Sequence, residues 1–248
     1  MMKNTLGDQR DSQPPSFAVA YEDVQARIRA SAAGRDGAVC LLAVSKTQPA
    51  AAIRHLARLG QRVFGENYVQ EALIKQADLN DLDSALEWHL IGPLQSNKCR
   101  EVAEHFDWLQ SLDRAKVIEP LARYRPHDRA PLNVLIQVNV DDEASKSGCT
   151  PTAVAELADR IVATPALRLR GLMAIPAPAP DLARRRDAFR RMRTLFDELR
   201  TKNAGIDTLS MGMSDDFELA IAEGATMVRV GSLLFGRRAG PAEPHPPT

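Results

Sequence analysis

Two periods of apolar residues alternate along this chain. Short apolar runs such as Val39-Cys40-Leu41-Leu42-Ala43-Val44, closed by turn residues, have the pattern of strands buried on both faces. Between them lie stretches whose apolar positions recur every three or four residues, the spacing of an amphipathic helix. After the Pro14-Pro15 break the pattern predicts a first helix over 17–33. Strands are predicted at 39–45, 62–64, 87–90, 108–111, 133–139, 169–173, 208–210 and 227–230. The helices that follow them are predicted at 50–59, 69–77, 96–104, 113–124, 151–163, 181–203 and 215–223, with a short one near 232–235.

Such alternation implies a parallel sheet with helices packed on it. Eight strand–helix units with no composition break between them favour one closed (β/α)8 barrel of the TIM type, with an extra N-terminal helix, over an open doubly wound sheet. The barrel is expected over 16–238, with a polar, flexible N-terminus over 1–15 and a proline-rich, disordered tail over 239–248. Neither GxGxxG nor GxxxxGK[ST] occurs, which argues against a nucleotide-binding fold.

Composition narrows the partners. Of 248 residues, 32 are Lys or Arg and 32 are Asp or Glu, so no net field draws the chain to nucleic acid or an anionic membrane. Arg184-Arg185-Arg186 with Arg190, Arg191 and Arg193 resembles a nucleic-acid patch. However, Phe189, Met192, Leu195, Phe196 and Leu199 form an apolar stripe through the same segment, which makes the arginines a solvated helix face. Cys40, Cys99 and Cys149 have no CxxC spacing and indicate neither a disulfide framework nor zinc, which fits a reducing cytosol. No segment has the length and apolarity of a membrane span or signal peptide, and a cytoplasmic location is expected.

The chemistry gathers at the C-terminal ends of the predicted strands, where barrels of this kind carry their active sites. Lys46 ends the first strand. There its stem can pack while its amine faces a cleft, and partial desolvation favours the neutral amine that attacks a carbonyl. A lysine meeting water at a strand end is the commoner case, so the later strand ends decide. Met211-Gly212-Met213-Ser214 follows the seventh strand, and Gly231-Ser232 follows the eighth and opens a short helix. Loops in these two places frequently hold a phosphate. Ser214 is equally placed to cap the helix after it. Arg229, a costly charge inside a strand, is expected to meet a phosphate, a pyridine nitrogen or an acidic partner. Asn67 and His89 also stand at strand ends, as ligands or as satisfied polar groups. Glu66 can pair with a cation and Tyr68 can pack, while Lys98 and Lys146 read as surface lysines, the alternative for Lys146 being a second amine near the barrel mouth. A lysine and a phosphate cradle at one barrel mouth point to a phosphorylated aldehyde, and pyridoxal 5'-phosphate fits.

Several motifs carry a resemblance: Ala43-Val44-Ser45-Lys46-Thr47, Phe64-Gly65-Glu66-Asn67-Tyr68, Trp88-His89-Leu90-Ile91-Gly92-Pro93-Leu94-Gln95-Ser96-Asn97-Lys98, Ser145-Lys146-Ser147-Gly148, Gly171-Leu172-Met173-Ala174-Ile175, Leu209-Ser210-Met211-Gly212-Met213-Ser214-Asp215-Asp216 and Val228-Arg229-Val230-Gly231. In this order they resemble the pyridoxal phosphate homeostasis proteins, single barrels like the N-terminal domain of alanine racemase. The resemblance implies a pyridoxal phosphate carrier or buffer without established turnover, holding the cofactor as an aldimine on Lys46. It places Ser210, Ser214, Arg229, Gly231 and Ser232 on ring- and phosphate-contacting segments and Asn67 on the second loop. Apo-enzymes would be its transient partners. The alternative is an amino-acid racemase, which needs an acid/base on each face of the substrate carbanion. A racemase's tyrosine comes from a second domain that this sequence is expected to be too short to contain, and of Tyr21, Tyr68 and Tyr124 only Tyr68 is near a strand end. Without that domain a monomer is expected. An aldolase-like lysine enzyme without cofactor is a weaker reading. A pure scaffold is weaker still, because it leaves the phosphate cradle unexplained.

Overall fold

The computed structural model describes residues 16–141, 147–176 and 181–236. The expected flexible N-terminus, Lys146 and the proline-rich tail lie outside them. Strands β1 (Cys40–Val44), β2 (Val63–Glu66), β3 (Glu87–Leu90), β4 (Trp108–Leu112), β5 (Leu132–Gln137), β6 (Leu167–Met173), β7 (Thr208–Ser210) and β8 (Met227–Val230) form a closed barrel in sequence order. All neighbours are parallel, and β1 returns to β8 through Cys40↔Met227 to Ala43↔Val230. The expected (β/α)8 architecture is therefore present.

Helix α1 (Phe17–Ser31) precedes the barrel, and α2 (Ala50–Arg58), α3 (Val69–Asp78), α4 (Cys99–His105), α5 (Ile118–Tyr124), α6 (Val154–Val162), α7 (Leu182–Lys202), α8 (Phe217–Ala222) and α9 (Ser232–Phe235) follow the strands in turn. Single 3-10 turns at Ser96–Lys98, Ala115–Val117 and Pro151–Ala153 lead into α4, α5 and α6, so these α-helices start later than the apolar period predicts. Ser16 caps α1 by accepting from the Val19 N–H, and Asp181 caps α7 by accepting from that of Ala183. On α7 the inward stripe of Phe189, Met192, Phe196 and Leu199 is buried, while Arg186 and Arg190 reach outward to Glu223. The arginine run is thus an ion-paired helix face.

Two cores result from the alternation of side chains along each strand. The larger lies between barrel wall and helices, with Phe64, Trp88, Leu109, Val134, Phe189 and Phe196 among its buried members. The smaller, Trp108, Leu135 and Met173, fills the barrel interior and shares it with polar side chains. His89 stacks on Trp108 there, ring centroids 5.0 Å apart and planes 8° from parallel.

Candidate functional site: a lysine and an anion cradle at the barrel mouth

A cavity of about 550 Å³ opens at the C-terminal ends of the strands, a size suited to a small cofactor. Lys46, Asn67, Ser214, Arg229, Gly231 and Ser232 all line it. Ser210, expected beside them, stands one layer deeper: it is fully buried, does not line the cavity, and acts on Arg229.

Lys46 leaves β1 half-buried, and the backbone turns sharply after it. Thr47 takes φ 65°, a left-handed conformation that is unusual for a β-branched residue. Strain of this kind persists only where the surroundings enforce it, and here they do. The Thr47 N–H donates to Glu71 Oε1 at 2.5 Å, and the Gln48 N–H closes on the Ser45 carbonyl at 3.0 Å.

Next to β1, around the closure of the barrel, the loops after β7 and β8 are tied together. Ser214 Oγ accepts from the Gly231 N–H at 3.3 Å. The N-cap of α8 is Asp216, whose Oδ1 accepts from the Met213 N–H at 2.7 Å. Ser214 is therefore bound to the β8 loop, and the helix begins two residues later than predicted, at Phe217. Gly231 is required by close approach, since a Cβ there would lie 3.2 Å from the Val44 carbonyl oxygen and 3.3 Å from Val44 Cβ. Ser232 begins α9, whose first N–H groups have no acceptor within the helix, and lines the cavity itself.

Arg229 is 3% exposed and reaches the cavity from below. Nη1 donates to Ser210 Oγ and Nη2 to the Ala174 carbonyl, both at 2.8 Å. No carboxylate is within ion-pair distance of it among the described residues. Burial pushes the guanidinium down to about 10, partly countered by Asp216, so it stays protonated at neutral pH and can only donate.

Behind Arg229 a chain of hydrogen bonds runs through the barrel. Ser210 Oγ donates to Gln110 Oε1 at 2.7 Å, and Gln110 Nε2 donates to His89 Nδ1 at 2.8 Å. His89 Nε2 then meets Glu87 Oε1 at 2.8 Å, near the opposite mouth. With Nδ1 accepting, the proton of the neutral imidazole lies on Nε2 and is donated to Glu87. Burial pushes His89 below its ordinary value, although its bond to Glu87 pulls the other way. His89 is thus a satisfied interior group; it does not line the cavity.

Asn67, half-buried after β2, forms the third lip, with Gly92 close against it. The Ser111 hydroxyl holds the Gly92 carbonyl at 2.6 Å. Cavity-lining residues that the strand-end pattern did not single out include Gln137, Ile175, Met213 and Phe235. Ile175 and Met213 are exposed at the rim. Tyr68 is 61% exposed and outside the cavity wall, and Lys98 pairs with Glu101 on the surface. Glu66 does meet a cation, the buried Lys75. Sequence patterning missed Lys75; its only signal was the i,i+4 spacing from Glu71.

The donors suit one anionic, carbonyl-bearing ligand. Ser214, Ser232 and backbone N–H groups are donors available to an anion, and the Lys46 amine and the buried Arg229 cation line the same cavity. Together with the fold, this defines a single-barrel protein built to take a small phosphorylated carbonyl compound.

The alanine racemase N-terminal domain family model matches residues 20–239. A pyridoxal phosphate homeostasis protein of Pseudomonas aeruginosa is 59% identical over 218 residues, covering 87% of this chain and 93% of that protein. One of Escherichia coli K12 is 51% identical over 226 residues, covering 89% and 97%. Among solved structures, PipY of Synechococcus elongatus with PLP bound superposes with a TM-score of 0.78 at 38% identity, covering 89% of this chain and 100% of that one. The chain belongs to the alanine racemase N-terminal domain family and, within it, to the pyridoxal phosphate homeostasis proteins.

Proposed function

We propose that this protein binds pyridoxal 5'-phosphate and holds it for delivery, with Lys46 bonded to the aldehyde carbon. The observation that carries the reading is that Lys46 and the hydrogen-bonded Ser214–Gly231 pair line one cavity, at the ends of the neighbouring strands β1, β8 and β7. Bound there, the cofactor supplies the reactive aldehyde. The Lys46 amine adds to it and water leaves, forming an imine that transimination can reverse. Ser214, Gly231 and Ser232 bind the phosphate, Arg229 donates toward the ring, and Asn67 closes the third side. The PLP-bound relative and the names of the homeostasis proteins support the ligand.

Holding fits the site better than turnover. A racemase needs a second acid/base opposite the lysine; no Tyr, His or Cys is among the described residues that line the cavity, and the one carboxylate there, Asp215, sits in the β7 loop beside Ser214. The carrier acts as a cytoplasmic monomer that releases the cofactor to apo-enzymes.

Adding pyridoxal 5'-phosphate to the purified protein, recording the visible spectrum, then reducing with borohydride and mapping the adduct by mass tests the reading. An imine band with the adduct on Lys46 supports it. No band, or an adduct scattered over surface lysines, overturns it. Steady racemisation of free amino acids would replace the carrier by the enzyme.

A further inference from the structure

Among the described residues one lysine is buried, Lys75, and it is bonded to the backbone of the residue before Lys46. Lys75, on α3, has a side chain only 7% exposed. Its Nζ donates to the Ser45 carbonyl at 2.8 Å, to Glu66 Oε1 at 2.7 Å and to Glu71 Oε1 at 2.6 Å. An ammonium has three N–H donors and no acceptor, so this geometry engages every donor.

Its partners act on the two residues that flank Lys46. Ser45 is held three ways: its N–H donates to the Gly65 carbonyl at 3.0 Å, its hydroxyl to Glu66 Oε1 at 2.6 Å, and its carbonyl takes Lys75. Thr47 is held in its left-handed conformation by Glu71 Oε1, the same oxygen that accepts from Lys75. One buried ammonium therefore fixes the backbone on both sides of the cavity lysine. Isolated charges are not buried without such reciprocal partners. Fold stability alone does not account for a strained threonine beside the reacting amine.

We propose that Lys75 is a positioning residue for Lys46: through Glu66 and Glu71 it clamps Ser45 and Thr47, fixing the direction in which the Lys46 amine enters the cavity. With its donors engaged, Lys75 takes no part in imine formation itself, and among the described residues that line the cavity Lys46 carries the one amine. The inference rests on the carrier reading above and adds the residue that sets the approach of its nucleophile. Misplacement of a reacting group by about 1 Å can cost on the order of 100-fold in rate, which gives the clamp a measurable consequence.

The experiment uses full-length Glu71→Ala and Lys75→Met proteins. Glu71 is partly exposed, so its truncation removes the Thr47 anchor without emptying the core; Lys75→Met leaves the buried Glu66 without its cation, so Glu71→Ala is the deciding variant. Three quantities are read: the rate of imine formation with pyridoxal 5'-phosphate, the affinity for pyridoxine 5'-phosphate, which lacks the aldehyde, and hydrogen exchange of the Thr47 amide without ligand. The expected result for Glu71→Ala is imine formation slowed about tenfold or more, pyridoxine 5'-phosphate affinity within about twofold, and faster Thr47 exchange. An unchanged imine rate, or an equal loss of pyridoxine 5'-phosphate binding, overturns the proposal. If the unaltered protein forms no imine, the carrier reading fails. The clamp is then decided by Thr47 exchange alone, and unchanged exchange in Glu71→Ala overturns it.

Discussion

The Ser210 hydroxyl lies 2.8 Å from Arg229 Nη1 and accepts its hydrogen bond, which leaves its own proton to go to Gln110. That one contact joins the cavity to the barrel interior. Every group from Arg229 to Glu87 has a defined donor and acceptor sense, so the chain of bonds holds the guanidinium in one orientation. It also explains how a cation can be buried with no carboxylate against it among the described residues. Hydrogen bonds in series in a low-dielectric interior reinforce one another.

Replacing Ser210 by Ala removes both bonds and leaves Gln110 Oε1 and one Arg229 N–H unpaired in the barrel. Burying such groups costs about 1–3 kcal/mol each way the pair is broken. The expected outcome is a lower urea midpoint with an unchanged slope, and pyridoxal 5'-phosphate affinity reduced several-fold because Arg229 is no longer oriented. Equilibrium unfolding and a spectroscopic titration check both. A normal midpoint would show that a water takes the place of the hydroxyl.

His89 gives the protein a stability that depends on pH. Burial depresses its folded-state value, so below the ordinary imidazole range, about 6.5, the unfolded chain binds more protons than the folded one. This contribution is complete above that value and is lost as the pH falls. Glu66 acts in the opposite sense: burial raises its folded value, so its contribution falls as the pH rises through the ordinary carboxylate range. The two separate in a His89→Gln variant. Between pH 7.5 and 5.5 its melting temperature should fall less steeply than that of the unaltered protein, and an identical slope would assign the effect elsewhere.

Much of this was legible in the sequence. Strands β3, β7 and β8 begin and end where the apolar runs do, and the rule that barrel sites sit at C-terminal strand ends pointed to Lys46, Asn67, Ser214, Arg229, Gly231 and Ser232, which line one cavity. It pointed equally to Ser210 and His89, which lie deeper in the barrel. What periodicity cannot supply is a partner. It puts His89 and Gln110 on inward faces without saying that they meet, because their contact spans 21 residues of chain and the next, Gln110 to Ser210, spans 100. Lys75 was hidden for the same reason, being an ordinary helix lysine until β2 brings Glu66 beneath it. Strand β5 ends at Gln137, two residues short of its predicted end, because Val138 leaves the ladder to pair singly with Cys149.

The thiols make a direct test of burial. Cys40 and Cys149 are both pushed up to about 11, chiefly by desolvation, and burial raises Cys99 as well. Since the thiolate is the nucleophile, all three should react slowly with a thiol-specific disulfide reagent at pH 8 in the folded protein. In denaturant all three should react rapidly. One fast thiol before unfolding would mark an opening of the wall at that residue.

Gly92 is the place where two lips of the cavity touch. A Cβ there would fall 2.1 Å from the Asn67 carbonyl oxygen and 2.7 Å from Asn67 Cα, both backbone atoms with no rotamer to yield. Gly92→Ala should therefore push Asn67 away from the ligand and cost about 1–3 kcal/mol of stability, as overpacking generally does. Its pyridoxal 5'-phosphate titration should show weakened affinity. Full affinity in a stable Gly92→Ala protein would remove Asn67 from the binding set.

The phosphate end depends on a helix outside the barrel. The Phe17 ring on α1 lies 6.1 Å from that of Phe235 at 73°, and 5.1 Å from His55 on α2. Phe235 lines the cavity from α9, whose first residue, Ser232, lines it too and belongs to the proposed anion cradle. Aromatic contacts of this kind are worth roughly 0.5–1.5 kcal/mol beyond the area they bury. Phe17→Ala should lower the melting temperature by a few degrees and let α9 move away from the Ser214 loop. The consequence is opposite in kind to that of Glu71→Ala. Pyridoxine 5'-phosphate and pyridoxal 5'-phosphate should both bind several-fold more weakly, while the saturating rate of imine formation at Lys46 stays near its original value. Titration with the two ligands, followed by the rate at saturation, separates the outcomes. A slowed saturating rate would mean that α1 supports the whole mouth of the barrel and not only its phosphate side.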